Sequence, residues 1–240
     1  MASPTETRTF TGPAQIHSFA GLLFDLDGTI VDSTDAIVKH WHKLGKEMGV
    51  DPNVILATSH GRRSIDTLKL YDPTKANWES DVSNIEGLIP KEFGADAVEV
   101  PGARTLLASL DEAHVPWAIV TSGTRPLMTG WLDVMKLAQP KVNVVAEDVN
   151  AGKPDPACYQ LGRSKLGLTA SDPVLVVEDA PAGVRAGKAA GCKVLALTTT
   201  HNIEQMEAAG ADFIVENLLS LKYVGRDGEN VQMEICNTLQ

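Results

Sequence analysis

The chain has 240 residues, 43% of them hydrophobic, and a formal net charge of −10, enough apolar material for one large core plus a sizeable insertion. The acidic balance excludes nucleic acid or an anionic membrane as the main partner, because both demand a basic face, and no apolar run reaches membrane-spanning length. Three cysteines, Cys158, Cys192 and Cys236, are widely spaced without a CxxC pair, which suits structural thiols in a reducing compartment and gives no zinc signature.

The opening stretch, "MASPTETRTFTGPAQIHSFA", is polar and lacks an apolar h-region, so it reads as neither a secretory signal nor a transit peptide. Residues 1–16 are expected to be a loose, flexible extension of a cytoplasmic monomer. The first buried strand is "GLLFDLD" from Gly21, and it ends in two acids, Asp25 and Asp27. Strand alternation projects residues i and i+2 to the same side, so their repulsion must be offset by something bound there.

After Asp32, an expected helix N-cap, Ile37, Val38, Trp41, Leu44 and Met48 form an apolar stripe at helical spacing that stops at Gly49. Further helix is expected in "RSIDTLKL" and "VSNIEGLI", and no strong buried strand follows until Pro101. Residues 33–101 therefore read as a helical cap inserted into a core made of 17–32 and 102–240, with hinges at 31–33 and 100–102. His40, Trp41, His42 and His114 read as packing or surface residues.

Beyond the cap, "PWAIVTS", "VNVVAE", "PVLVVED", "KVLALTT" and "DFIVEN" add five more apolar runs, with helical segments at 156–166, 182–190 and 203–209 that each stop at glycine. The alternation predicts an α/β fold with a parallel sheet covered on both faces. The small-residue helix from Pro181 is read as a close approach to the sheet behind Asp179. The tail from Gly225 predicts an edge hairpin around Asp227 and Gly228.

Ligands of open parallel sheets sit beyond the carboxyl ends of the strands. Asp25, Asp27, Gly28 and Thr29 end the first strand, Thr121, Ser122 and Gly123 the second, and Glu178 and Asp179 the fourth, while Lys153 lies in "GKPDP" after the third. Clustered carboxylates without His or Cys partners are hard oxygen ligands and suit Mg²⁺. Thr121, the amides around Ser122 and Gly123, and Lys153 offer donors and positive charge to phosphate oxygens. Asp25 is then placed to attack phosphorus, and Asp27 to protonate the leaving oxygen and later deprotonate the hydrolytic water.

"FDLDGTIVDS", "AIVTSGT", "GKPDP" and "VVEDAPAG" resemble, in order and spacing, the four motifs of the haloacid dehalogenase superfamily of aspartate-nucleophile phosphatases. The resemblance implies a Rossmann-like core with a mobile helical cap, Asp25 as nucleophile, Asp27 as acid/base, and Thr121 and Lys153 as phosphate binders. It further implies a Mg²⁺ site formed by Asp25, Asp179 and the Asp27 carbonyl, with Glu178 supporting the metal through water.

A second acid at position 27 favours phosphoryl transfer over carbon–halogen cleavage. "TSGT", "SHGRR", "IPKEFGADAVEVPGA" and "EDAPAGVRAGKAAGC" look like the fungal glycerol-3-phosphatase and 2-deoxyglucose-6-phosphate phosphatase group. In that group's H-G-x-R element His60, Gly61 and Arg63 would descend over the substrate, whereas Arg62 has no assigned role. The implied activity is hydrolysis of a small phosphorylated polyol or sugar, glycerol 3-phosphate (glycerol 1-phosphate) first. 2-Deoxyglucose 6-phosphate or another sugar phosphate, a sugar phosphomutase and a non-catalytic phosphate binder are the alternatives.

Overall fold

The computed structural model describes residues 8–59 and 61–240, so His60 and the first part of the expected extension, 1–7, lie outside the described residues. The chain begins with β1 (Gln15–Phe19), β2 (Gly21–Phe24) and β3 (Val31–Asp32), then α1 (Thr34–Met48), α2 (Pro52–Ser59), α3 (Ser64–Tyr71) and α4 (Ser83–Phe93). It continues through β4 (Val98–Glu99), α5 (Ala103–Glu112), β5 (Trp117–Val120), α6 (Arg125–Met135), β6 (Val142–Val144), α7 (Ala157–Lys165) and β7 (Val174–Glu178). The last elements are α8 (Pro181–Ala189), β8 (Lys193–Leu197), α9 (Ile203–Ala209), β9 (Phe213–Val215) and a hairpin of β10 (Leu221–Asp227) and β11 (Asn230–Ile235).

The six apolar runs of the sequence become one parallel, Rossmann-like sheet in the order β6-β5-β2-β7-β8-β9. Strand alternation divides its side chains between two cores. Leu22 and Phe24 pack with Leu107 and Leu110 of α5, Trp131 of α6, and Val231 and Met233 of β11. Leu23 packs on the opposite face with Tyr159 of α7, Val184 of α8 and Met206 of α9. Burial on both faces explains why these strands are near-continuous apolar runs. β2 lies between β5 and β7, so the chain departs to either side of it, and a crevice opens beyond its carboxyl end.

Residues 8–16 are not a loose extension. Gly12 exchanges backbone hydrogen bonds with Thr238 and Asn237 at 2.9 Å each, Phe10 bridges Leu239, and β1 pairs antiparallel with β11. The tail hairpin forms around Asp227 and Gly228, but it joins β1 in a separate three-stranded sheet, β1-β11-β10, and does not extend the edge of the parallel one.

The chain leaves and re-enters the core through the paired strands β3 and β4. Between them, α1 to α4 enclose a core of their own, built from Trp41, Leu44, Ile55, Ile65, Leu68 and Val82. Ser33, not Asp32, occupies the α1 N-cap position; Asp32 accepts from the Thr34 amide at 3.2 Å. α4 lies along α6. The two approach closely at reciprocal glycine–proline contacts, where a Cβ on Gly87 would come within 2.9 Å of Pro126 and one on Gly130 within 2.7 Å of Pro90.

Candidate active site

Asp25 follows β2 directly, and its amide bonds to the Val177 carbonyl at 3.0 Å, so the sheet ladder holds the start of the turn that carries Asp25 and Asp27. The turn then reverses at Gly28, whose φ of +83° favours glycine and whose missing side chain leaves room for the Asp179 carboxylate. Asp27 accepts from the Ser33 hydroxyl at 2.6 Å, which ties the turn to the start of α1.

Lys153 is buried beneath Asp25. Its ammonium donates to Asp25 Oδ1 at 2.6 Å, to Glu178 Oε1 at 2.6 Å and to the Val120 carbonyl at 3.1 Å. The Tyr159 hydroxyl also donates to Glu178 Oε1, at 2.7 Å, while Glu178 Oε2 accepts from the amides of Asp179 and Ala180 at 3.0 Å each. Asp179 accepts from the Thr29 hydroxyl at 3.1 Å and from the Thr200 hydroxyl. Thr29, Tyr159 and Thr200 are thus parts of the site for which sequence reasoning assigned no role.

Oxygens of Asp25, Glu178 and Asp179, all buried, lie within 4.8 Å of one another. Burial, opposed by Lys153 and reinforced by Glu178 and Asp179, pushes the Asp25 carboxyl well above its ordinary range. Such a set of hard oxygens with excess negative charge fits Mg²⁺. Glu178 bonds to Lys153 and to the amides that lead into α8, so its contacts also fix Lys153 and that turn. Asp25, Glu178 and Asp179 together make up the acidic trio, and the Asp27 carboxylate lies outside it.

Thr121 Oγ1 accepts from the Gly123 amide at 2.9 Å, which leaves the hydroxyl its proton to give to an anion. The Ser122 hydroxyl donates to the Gly61 carbonyl at 3.0 Å, so the loop between α2 and α3 rests on the end of β5. Asp25, Asp27, Thr121, Ser122 and Gly61 line one cavity of about 70 Å³, together with His40, Trp41, Arg62, Ser64 and Glu86.

Arg63 does not line that cavity. Its guanidinium pairs with Asp66, donates to the carbonyls of Val149 at 2.8 Å and Asn150 at 3.1 Å, and stacks over Trp78. Its contacts fasten the cap to the loop that leads into Lys153, and the neighbouring Arg62 reaches the cavity instead. The backbone at Arg63 is extended immediately before α3, which lets adjacent side chains diverge.

Glu86 is buried on α4 and accepts from the Thr124 amide at the start of α6 at 2.6 Å. Burial pushes its carboxyl up to about 7, against hydrogen bonds from Ser64 and Thr124 that pull it down. His40 is also buried; its Nε2 has no hydrogen-bond partner among the described residues, and burial lowers its pKa to about 4. A signal for both was present in the sequence. Each lies in the apolar register of its helix, Glu86 between Val82 and Ile89, His40 between Ala36 and Leu44.

Residues 22–197 match the family described as haloacid dehalogenase-like hydrolase. Over 221 residues the chain is 39% identical to glycerol-1-phosphate phosphohydrolase 1 of Saccharomyces cerevisiae, covering 89% of this chain and 88% of that protein. It is 41% identical over 200 residues to hexitol phosphatase A of Escherichia coli, covering 82% and 91%. To 2-deoxyglucose-6-phosphate phosphatase 1 of Saccharomyces cerevisiae it is 36% identical over 234 residues, covering 90% and 95%. Among solved structures, a hydrolase from Pseudomonas syringae superposes with a TM-score of 0.70 at 26% identity, over 83% of this chain and 94% of that one. The chain belongs to the haloacid dehalogenase-like hydrolase family.

Proposed function

We propose that this chain is a phosphoric monoester hydrolase of small phosphorylated polyols and sugars, that its first substrate is glycerol 3-phosphate (glycerol 1-phosphate), and that it works through a phosphorylated Asp25. The phosphatase class is supported by relatives named as phosphohydrolases and phosphatases over most of the chain. The observation that carries the mechanism is the joint placement of Asp25 and Asp27 in one cavity, with Lys153 bonded to the first and Ser33 to the second.

In this reading the substrate phosphate lies over Asp25, where the Thr121 hydroxyl, the strand-end amides and Lys153 receive its oxygens. Asp25 and Asp179, with the Asp27 carbonyl, hold Mg²⁺, which when bound neutralises charge shared by the carboxylates and the phosphate. An Asp25 oxygen forms a bond to phosphorus as the ester P–O bond breaks, and Asp27, oriented by Ser33, gives its proton to the departing alkoxide. Asp27 then takes a proton from water as that water attacks the phosphoaspartate, releasing phosphate. Glu178 fixes Lys153, and Ser122 and Gly61 keep the cap loop over the site, which limits competing water.

The cavity is small, about 70 Å³ with its phosphate-binding end included, which supports a glycerol-sized leaving group over a hexose. A hexose or hexitol phosphate is the second reading, favoured by the relative named hexitol phosphatase A. No helix of the described residues is long and apolar enough to cross a membrane.

The test is phosphate release from a panel of glycerol, deoxysugar, hexitol and hexose monophosphates, with and without Mg²⁺, followed by acid quenching with ³²P-labelled substrate. Mg²⁺-dependent release with labelled protein, lost in Asp25→Ala, is the expected result. Full turnover by Asp25→Ala would overturn the mechanism, and equal rates across the panel would overturn the choice of glycerol phosphate.

A further inference from the structure

Beside the catalytic cavity lies a wider cleft of about 410 Å³, bordered by Arg62 from the cap and by Ala182, Arg185 and His201 from the core. Arg62 lines both spaces, so the cleft and the cavity share a wall. Among the described residues, no acidic side chain borders the cleft.

The two arginines stand apart from the rest. Among the described residues, Arg8, Arg63, Arg104 and Arg125 pair with carboxylates, while Arg163 and Arg226 donate to backbone carbonyls. The guanidinium groups of Arg62 and Arg185 have no such partner among the described residues, although the chain carries a net charge of −10 and acids are plentiful. Both are exposed, and both face one cleft.

The start of α8 adds little to this charge. Ala180 gives α8 no side-chain cap, but the Glu178 carboxylate lies against that end of the helix and accepts from the Asp179 and Ala180 amides, so the two arginines supply the positive potential of the cleft. Two guanidinium groups with no carboxylate partner among the described residues match the charge and hydrogen-bonding demand of a phosphate dianion, since each arginine presents a planar fork of donors.

We propose that this cleft is a second anion site that takes a phosphate-class dianion between Arg62 and Arg185, separate from the phosphate cradle at Asp25. The dianion comes either from the distal phosphate of a bisphosphorylated polyol whose other phosphate lies at Asp25, or from free phosphate. The first source rests on the proposed function; the second does not. In both cases the anion joins a cap residue to a core residue beside the cavity mouth.

Arg185→Gln tests the site, because Arg185 lies outside the cavity at Asp25 and its guanidinium bonds to no other side chain among the described residues. Equilibrium dialysis with radiolabelled inorganic phosphate should give more than one equivalent bound to the wild-type protein and one equivalent in Arg185→Gln, with affinity for the extra equivalent weakened about tenfold or more. Steady-state kinetics on a monophosphate and a bisphosphate of the same polyol then distinguish the sources.

If the substrate carries the second anion, wild type prefers the bisphosphate, and Arg185→Gln reduces that preference about tenfold while monophosphate turnover is unchanged. If the anion is free, the extra equivalent binds without any bisphosphate preference. Phosphate binding and substrate preference that are both unaltered in Arg185→Gln would overturn the proposal, and so would extra binding that the variant does not weaken. Monophosphate turnover by the wild type reports on the proposed function separately, since that substrate does not occupy the cleft.

Discussion

Lys153 in the core and Arg63 in the cap are both buried cations, each 5% exposed, yet they are satisfied in opposite ways. Lys153 is bonded to two carboxylates at 2.6 Å, one of them the proposed nucleophile. Arg63, just before α3, is paired locally to Asp66 and crosses the cap–core boundary to the neutral carbonyls of Val149 and Asn150. Charge meets charge at Lys153, whereas Arg63 meets the boundary through neutral acceptors. Variants in the core should therefore alter turnover, and variants at the boundary should alter substrate binding and stability.

The sharpest break is Asp25→Ala, expected to lower kcat by on the order of 10⁴-fold with the fold intact, measured as phosphate release alongside circular dichroism. Unchanged turnover would erase the distinction between the regions. Lys153→Ala leaves Asp25 and Glu178 without their buried counter-charge and should cost about 3–5 kcal/mol of stability in denaturant unfolding, together with weaker phosphate binding. A loss confined to phosphate binding would mean that Lys153 has no structural share.

Glu86 adds a pH dependence at the boundary. Its carboxyl titrates near 7 in the folded chain against 4.5 ordinarily, so the folded state holds this proton more tightly. The stability due to that proton is complete below about pH 4.5 and is lost as the pH rises through 7, up to about 3 kcal/mol. Glu86→Gln should flatten this decline when unfolding is compared at acidic and alkaline pH; an identical slope in both proteins would contradict the assignment. Arg63→Ala should have the smallest effect, about 2 kcal/mol of stability, with KM raised more than kcat is lowered. A selective fall in kcat would instead place Arg63 in the chemistry.

The same contrast explains what the sequence revealed. β2, β5 and β7 were legible because strands buried on both faces have little room for polar residues, and the carboxylates, Thr121 and Lys153 stand at or just after strand ends in contiguous motifs. β1 was not legible: "QIHSF" mixes polar and apolar residues, and its pairing partner, β11, is at the other end of the chain. Arg62 and Arg63 are neighbours, and which of them enters the cavity depends on how α3 docks, which local pattern does not encode. Glu86 and His40 interrupt apolar stripes, so their burial was inferable, but the shared cavity exists only once α1 and α4 have met the core.

The reciprocal contacts between α4 and α6 have a consequence for distant chemistry. Gly87 and Gly130 act as the thinnest possible shims: the nearest atoms to a methyl group added at either are those of a proline ring on the opposite helix, so such an addition would pry the helices apart. Glu86 immediately precedes one shim, and its bond to Thr124 spans the same joint. The clearance between two backbones, set by hydrogen atoms in place of side chains, thereby gauges how near the α4 face of the cavity stands to Asp25.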